Sequence, residues 1–218
     1  MKSIWPRFGI TGFNVRRKDA PARLEALRDR QGQPLPPNTQ NELRRLLARH
    51  VLIESHIREI EAARDAALAG QPDAVATLDD EMRKMILLLV RIPGIAAETA
   101  TILVVECLAR HFPNARALGG YAGLTGTPFS SGGSQRDQGL SKGGNPRLRK
   151  CLVQLAWRWQ RLLPDHALSL WFRERTGGAA KGRIRKVMII AMARKLLILL
   201  WKLATTGVIP QGLRLKDA

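Results

Sequence analysis

Between Gly123 and Leu148 the chain reads GLTGTPFSSGGSQRDQGLSKGGNPRL, a run too rich in glycine, serine and proline to continue any helix around it. Whatever the flanking residues build must accommodate this interruption, which is expected to be a long exposed loop. Loops of such length in compact domains are either functional or disordered. The side chains favour function: Ser130 and Ser131 stand among Arg136, Lys142, Arg147 and Arg149, and Gly132 and Gly133 allow backbone amides to come close. Hydroxyls beside cations and free amides suit a phosphate group. On composition alone, a plain serine turn explains Ser130 and Ser131 more simply.

The charge distribution points the same way. Of the 218 residues, 36 are basic and 18 acidic, a net charge of +18. Residues 1–130 hold 18 Lys/Arg and 14 Asp/Glu, net +4, whereas residues 131–218 hold 18 and 4, net +14. A field of this size attracts polyanions. A basic membrane-surface protein is the competing class, but the longest apolar run, Val187 to Leu203, is split by Arg194 and Lys195 and too short to span a bilayer. Nucleic acid is the better match.

Outside the interruption the periods are helical. Residues 1–18 show none and are expected to be a linker; Ala20 to Arg30 form a short helix, and the prolines of QPLPPN (33–38) mark a boundary. From Thr39, Leu43, Leu46, Leu47, His50, Ile53, Ile57 and Ile60 recur at steps of three and four, predicting a helix of roughly thirty residues ending near Gly70. Pro72 is expected to open a second helix whose apolar side includes Met82, Ile86 and Leu89. Residues 39–91 therefore form a long arm, either an intramolecular helical hairpin or a coiled coil that pairs with another chain; the pattern leaves both open.

Met85 to Leu103 then reads helix, Pro93-Gly94-Ile95 turn, helix, the pattern of a helix-hairpin-helix. Its turn (Gly94, Ile95, Ala96) could present backbone amides to a DNA phosphate, or be a plain helical hairpin with Ile92 and Ile95 as core. The usual second glycine is Ala96 here, where a positive φ would cost on the order of 1 kcal/mol. Pro146 opens a helix with Leu148, Leu152, Leu155 and Trp159 on one side and Arg149, Lys150, Arg158 and Arg161 on the other. A short helix covers Leu168 to Arg175, and a final one with Val187, Ile190, Ala191, Arg194, Leu197, Leu200, Trp201 and Ala204 is expected to be buried on most sides and to serve as core. The tryptophans and Tyr121 are expected to pack rather than stack on bases or act as nucleophile. Cys107 and Cys151 are expected to be buried free thiols. The fold class is mainly α.

Three segments in fixed order, Pro93-Gly94-Ile95, Tyr121-Ala122-Gly123-Leu124-Thr125 followed by Ser131-Gly132, and Ser141-Lys142-Gly143-Gly144-Asn145-Pro146-Arg147-Leu148-Arg149, carry a family signature. The chain resembles the C-terminal domain of the serine-bearing insertion-sequence transposases, the Piv/MooV type known as bridge-RNA-guided recombinases, over roughly residues 85 to 205. The resemblance implies a helix-hairpin-helix-containing transposase domain over 85–218 with a catalytic Gly/Ser loop, residues 1–38 being a linker remnant. It makes Ser131 the nucleophile on a phosphodiester. Gly94, Ile95, Ala96, Gly132, Gly133, Arg136, Lys142, Asn145, Arg147 and Arg149 are its candidate phosphate contacts.

The family also places an RNase-H-like domain, whose acidic residues hold divalent metal such as Mg, ahead of this one, and no βαβ pattern for it is found here. Asp79-Asp80-Glu81 occupy successive helix positions that diverge, and the four histidines are scattered, so no metal ligands or cofactor are assigned within the chain. The expectation is a truncated copy or split half that does not cut DNA alone. Its partners would be DNA, a guide RNA, and a second copy or an intact transposase through residues 39–91. No membrane association is expected, and the N-terminus carries no secretory signal, so the location would be the bacterial cytoplasm, beside the nucleoid. The alternative is a non-catalytic helix-hairpin-helix DNA-binding or transposase-partner protein.

Overall fold

A computed structural model describes residues 5–70, 78–131, 134–140, 143–177 and 182–216. Side-chain descriptions exclude Trp5, Arg7 and residues 127–140, and the expected helix start at Pro72 lies outside the described residues. The chain divides into two compact units, Met1–Thr77 and Leu78–Ala218.

In the first unit a short 3-10 turn (Trp5–Phe8) precedes helix α1 (Ala20–Glu25) and the long helix α2 (Pro37–Leu68). The prolines at 36 and 37 occupy the cap and first turn of α2, where a missing N–H leaves no hydrogen bond unmade. Leu24, Leu35 and Leu43 form a small core on which Phe8, Ile10, Phe13 and Leu27 pack, so part of the expected linker contributes apolar surface. Between the helices Asp29 Oδ1 accepts from the N–H groups of Gln31 and Gln33, both at 2.9 Å, and Arg28 bridges to Pro34. Arg44 clamps Glu25 through both carboxylate oxygens, tying α2 to α1. At 32 residues α2 is about 48 Å long. Only Leu43, Leu47 and Ala67 of it are buried, whereas Val51, Leu52, Ile53, Ile57 and Ile60 are exposed.

The second unit holds α3 (Asp80–Val90), α4 (Ala97–Leu103) running into a π-helical turn (Val104–Leu108), and α5 (Ala115–Tyr121). Strands β1 (Gly126–Ser131) and β2 (Ser134–Leu140) follow, then α6 (Pro146–Leu162), α7 (Ala167–Thr176) and α8 (Arg183–Thr206). Caps define most helix starts, as the sequence's Asp, Asn and His residues allow. Asp79 accepts from Met82 N–H at 2.7 Å, Asn114 from Arg116 and Ala117, Asn145 from Leu148, and His166 Nδ1 from Leu168 at 3.2 Å. Gly177 and Gly207, at φ of 55° and 68°, close α7 and α8 in the left-handed conformation.

Helix α8 is the centre of this unit: α5, α6 and α7 all lie against it, and α4 packs on α6 while α3 packs on α4. Its buried face is Ile189, Met192, Ala193, Leu196, Leu197, Leu200 and Leu203. The helix is less enclosed than its pattern suggests: Ile184 and Val187 are exposed near its start, where no described neighbouring helix covers them. Opposite it, α6 buries Leu148, Leu152, Leu155 and Trp159. Ile86, Leu89, Ile92, Ile95, Ala100 and Leu103 fill the space between α3 and α4. After α8 the tail returns to α3, where Lys216 N–H donates to the Arg91 carbonyl at 2.7 Å.

The fold is mainly helical, as the periodicity requires, with one correction. Within the interruption, the described residues 126–131 and 134–140 pair as antiparallel strands rather than an irregular loop, from Gly126↔Leu140 to Ser131↔Ser134. The register shifts between Gly126 and Pro128, where proline has no N–H to give to a ladder.

Candidate functional site

The root of the hairpin is where the sequence motifs meet. Asn145 N–H donates to the Tyr121 carbonyl at 2.8 Å, bringing the Tyr-x-Gly segment against the Gly-Gly-Asn segment. Gly123 and Gly144 sit at φ of 64° and 80°. A β-carbon on Gly144 would lie 2.6 Å from Gly123 N and 2.7 Å from the Tyr121 oxygen, and one on Gly123 would lie 2.5 Å from the Gly143 oxygen. Both positions therefore require glycine twice over, for backbone angle and for space. Arg149 then bridges the two legs, donating from Nη1 to the carbonyls of Gly123 at 3.3 Å and Gly143 at 3.1 Å.

A carboxylate that the motifs did not include holds the other side of this root. Glu106, in the π-turn, accepts from Asn145 Nδ2 at 2.8 Å through one oxygen and from Arg147 Nη1 at 3.2 Å through the other. Asn145 thus spends its side-chain oxygen on the N-terminus of α6 and its amide on Glu106. π-turns are uncommon within helices and are frequent at functional sites. The signal available in the sequence was one acidic residue inside the apolar run from Leu103 to Leu108.

Of the expected phosphate contacts, Asn145, Arg147 and Arg149 are brought together at this root, each holding an internal partner. Gly94, Ile95 and Ala96 lie elsewhere, in the turn between α3 and α4. Gly94 has φ of 88°, and a β-carbon there would approach Leu162 Cδ1 to 2.9 Å. Ala96 caps α4 at φ of −95°, so the missing second glycine imposes no strain, and Ile95 is buried. Ser131 is the last paired residue of β1, at the far end of the hairpin from the glycine root, and Arg136 pairs across from Phe129. Gly132, Gly133 and Lys142 lie outside the described residues, as do the side chains of Ser131 and Arg136.

The remaining candidates have structural surroundings. Tyr121 packs at 5.4 Å from the Phe112 ring, with the Arg110 guanidinium 5.4 Å from its centroid. Trp159 is fully buried, whereas Trp157 is partly exposed beneath Arg185, 4.9 Å from its ring. Cys107 and Cys151 are buried free thiols; burial pushes Cys107 up to about 12 and raises Cys151 as well. Among the described residues, no three His, Cys, Asp or Glu side chains gather into a group that could hold a metal ion. No described helix is long and apolar enough to cross a membrane.

Residues 87–169, which run from α3 through the hairpin into α7, match the Transposase IS116/IS110/IS902 family. The chain is 43% identical over 209 residues to y4rJ of Sinorhizobium fredii (strain NBRC 101917 / NGR234), a protein whose name designates it a transposase; the match covers 95% of this chain and 52% of that one. It is 30% identical over 176 residues to the transposase for insertion sequence element IS1328 of Yersinia enterocolitica, covering 80% of this chain and 48% of that one. The chain thus spans about half the length of the curated relatives it matches. The glycine-rooted hairpin lies in the middle of residues 87–169, the stretch that is similar to the Transposase IS116/IS110/IS902 family.

Proposed function

We propose that this chain is the DNA-binding, serine-bearing part of an insertion-sequence transposase. The observation that carries the reading is the convergence of Tyr121, Gly123, Gly144 and Asn145 on one root, which extends Ser131 at the end of a two-stranded finger. A nucleophile on such a finger can reach into a groove that the helices cannot enter. Ser131 Oγ would attack a phosphodiester phosphorus, forming a phosphoserine bond while the phosphorus–oxygen bond to the leaving strand breaks. The serine proton ends on the departing hydroxyl, and the phosphoryl bond is conserved for rejoining. Arg136 and Lys142, with backbone amides of Gly132 and Gly133, would offset charge on the pentavalent phosphorus. Arg147 would exchange Glu106 for a DNA phosphate, and the Gly94–Ala96 turn would contact the backbone without reading bases.

In this reading, divalent metal such as Mg would be held by acidic residues outside this chain, and a guide RNA, where used, would choose the target. Helix α2, with its exposed apolar residues, would join a second copy or an intact transposase, and the work would be done beside the bacterial nucleoid. The chain alone is expected to bind DNA without cutting it.

The test is a DNA substrate with a bridging phosphorothiolate, incubated with this chain and an intact transposase of the same family. A covalent adduct on this chain, lost in Ser131→Ala, is the expected result. Absence of an adduct while the intact enzyme cleaves would remove the catalytic role and favour the non-catalytic helix-hairpin-helix reading.

A further inference from the structure

Beside the α3–α4 turn, helices α4 and α6 part to leave a cleft of about 430 Å³. One wall is Ala96, Glu98, Thr99 and Ile102 of α4, and the other is Arg147, Lys150, Gln154 and Arg158 of α6. Arg158 Nη2 donates to Thr99 Oγ1 at 3.2 Å across the gap, fixing its width on one side. The buried Cys151 also lines it. Of its lining only Arg147 also belongs to the glycine root, where it donates to Glu106.

The composition of the walls is unlike that of a solvated helix face. Three cations stand along α6 on one side, a carboxylate and an uncharged hydroxyl on the other, and Ile102 and Cys151 supply an apolar surface. Anion binding alone would not account for Glu98, which repels phosphate. A carboxylate, an amide and guanidinium donors around an apolar patch do match the edge and face of a nucleobase. The volume is within the roughly 300–1,000 Å³ range of small-molecule sites, enough for one nucleotide but not for a helix of paired bases.

We infer that the α4–α6 cleft holds one unstacked nucleotide of a single DNA strand. The base lies against Ile102 and Cys151, its exocyclic amine donates to Glu98, and its phosphate meets Lys150 and Arg147. This rests on the DNA-binding role proposed above and adds the class of ligand, an unpaired nucleotide, and a preference. A base with an exocyclic amine, such as cytosine, satisfies Glu98, whereas thymine offers that carboxylate only a ring N–H and carbonyl oxygens.

Fluorescence anisotropy with the full chain and labelled dC12 or dT12 at fixed salt tests the inference. Lys150→Glu and Arg158→Gln are expected to weaken binding of both by roughly tenfold or more, and Lys84→Glu, an exposed charge reversal on α3, by much less. Ile102→Trp fills the cleft without changing charge and should cost a similar factor, while Glu98→Gln should erase the preference for dC12. Thermal melts monitored by circular dichroism select variants that stay folded, with Ile102→Phe as the milder filling change. Unchanged affinity in the folded filled variants, or an equal loss in Lys84→Glu, overturns the cleft as the seat. Tighter, Ile102-sensitive binding of the ribonucleotide rC12 overturns the assignment to DNA. Failure of the unaltered chain to bind any DNA would instead defeat the function proposed above.

Discussion

The Glu106 carboxylate accepts from Asn145 Nδ2 at 2.8 Å, joining the π-turn to the N-cap of α6 across 39 positions of sequence. The same amide side chain caps α6 through its oxygen, so one residue ends the finger, starts a helix and anchors both to a third element. That economy makes the root vulnerable at few points.

Glu106→Ala should leave the half-buried Asn145 amide and the Arg147 guanidinium without their acceptor and lower stability by about 1–3 kcal/mol. Asn145→Ala should cost a comparable amount, since it also removes the α6 cap, typically worth ~1 kcal/mol. Urea unfolding of both single variants and the double variant would measure their coupling. Strict additivity would mean that the contact contributes nothing of its own.

Gly144→Ala and Gly177→Ala form a matched pair. Both residues have positive φ, 80° and 55°, but a β-carbon at Gly177 meets nothing within 4 Å, whereas at Gly144 it collides with backbone. Alanine at Gly177 should cost only the conformational term of about 1 kcal/mol. At Gly144 the loss should be clearly larger and accompanied by protease sensitivity within 123–145. Equal melting shifts for the two variants would contradict the close approach described at the root.

Burial of the Cys107 thiol, raised to about 12, gives a pH dependence whose direction is fixed. An unfolded chain loses this proton near pH 9, the ordinary thiol value, so the folded form holds it longer. The contribution is complete below pH 9 and disappears as pH rises toward 12. Stability measured across this window should fall less steeply in Cys107→Ala than in the unaltered chain. Thiol reagents at pH 8 should label neither cysteine until denaturant is added.

His166 has the opposite sign. Burial lowers its pKa from the ordinary 6.5, so its neutral form is favoured in the folded chain. The stability it contributes is present above pH 6.5 and is lost as pH falls below it. Asn at this position can keep the cap to Leu168 N–H without titrating. Thermal shifts between pH 7.5 and 5.5 should be smaller in His166→Asn than in the parent; identical shifts would place the acid sensitivity elsewhere.

The longer helices were legible because apolar residues recur at their spacing and because Pro37 and Pro146 open two of them; the seven-residue α5 was not, being too short to show a period, with its Asn114 cap read only as a breaker. The finger was not, since GTPFSS and SQRDQGL have the composition of a loop and gain order through pairing with each other, which a local pattern does not encode. Several motif residues meet at one root, but their internal partners were hidden. Arg149 and Asn145 look like phosphate ligands beside serines and glycines, and only their distances to carbonyl and carboxylate oxygens reveal the internal partners. Glu106 was invisible because its partners lie across a long sequence gap.

A finger clamped where two glycines leave no room for side chains passes little information about its own length to the palm beneath it. Strand residues can be added or removed in pairs beyond that clamp while α5 and α6 keep their places. Reach is thereby separated from folding, and a protein built this way could be refitted to deeper or shallower targets without redesigning its core.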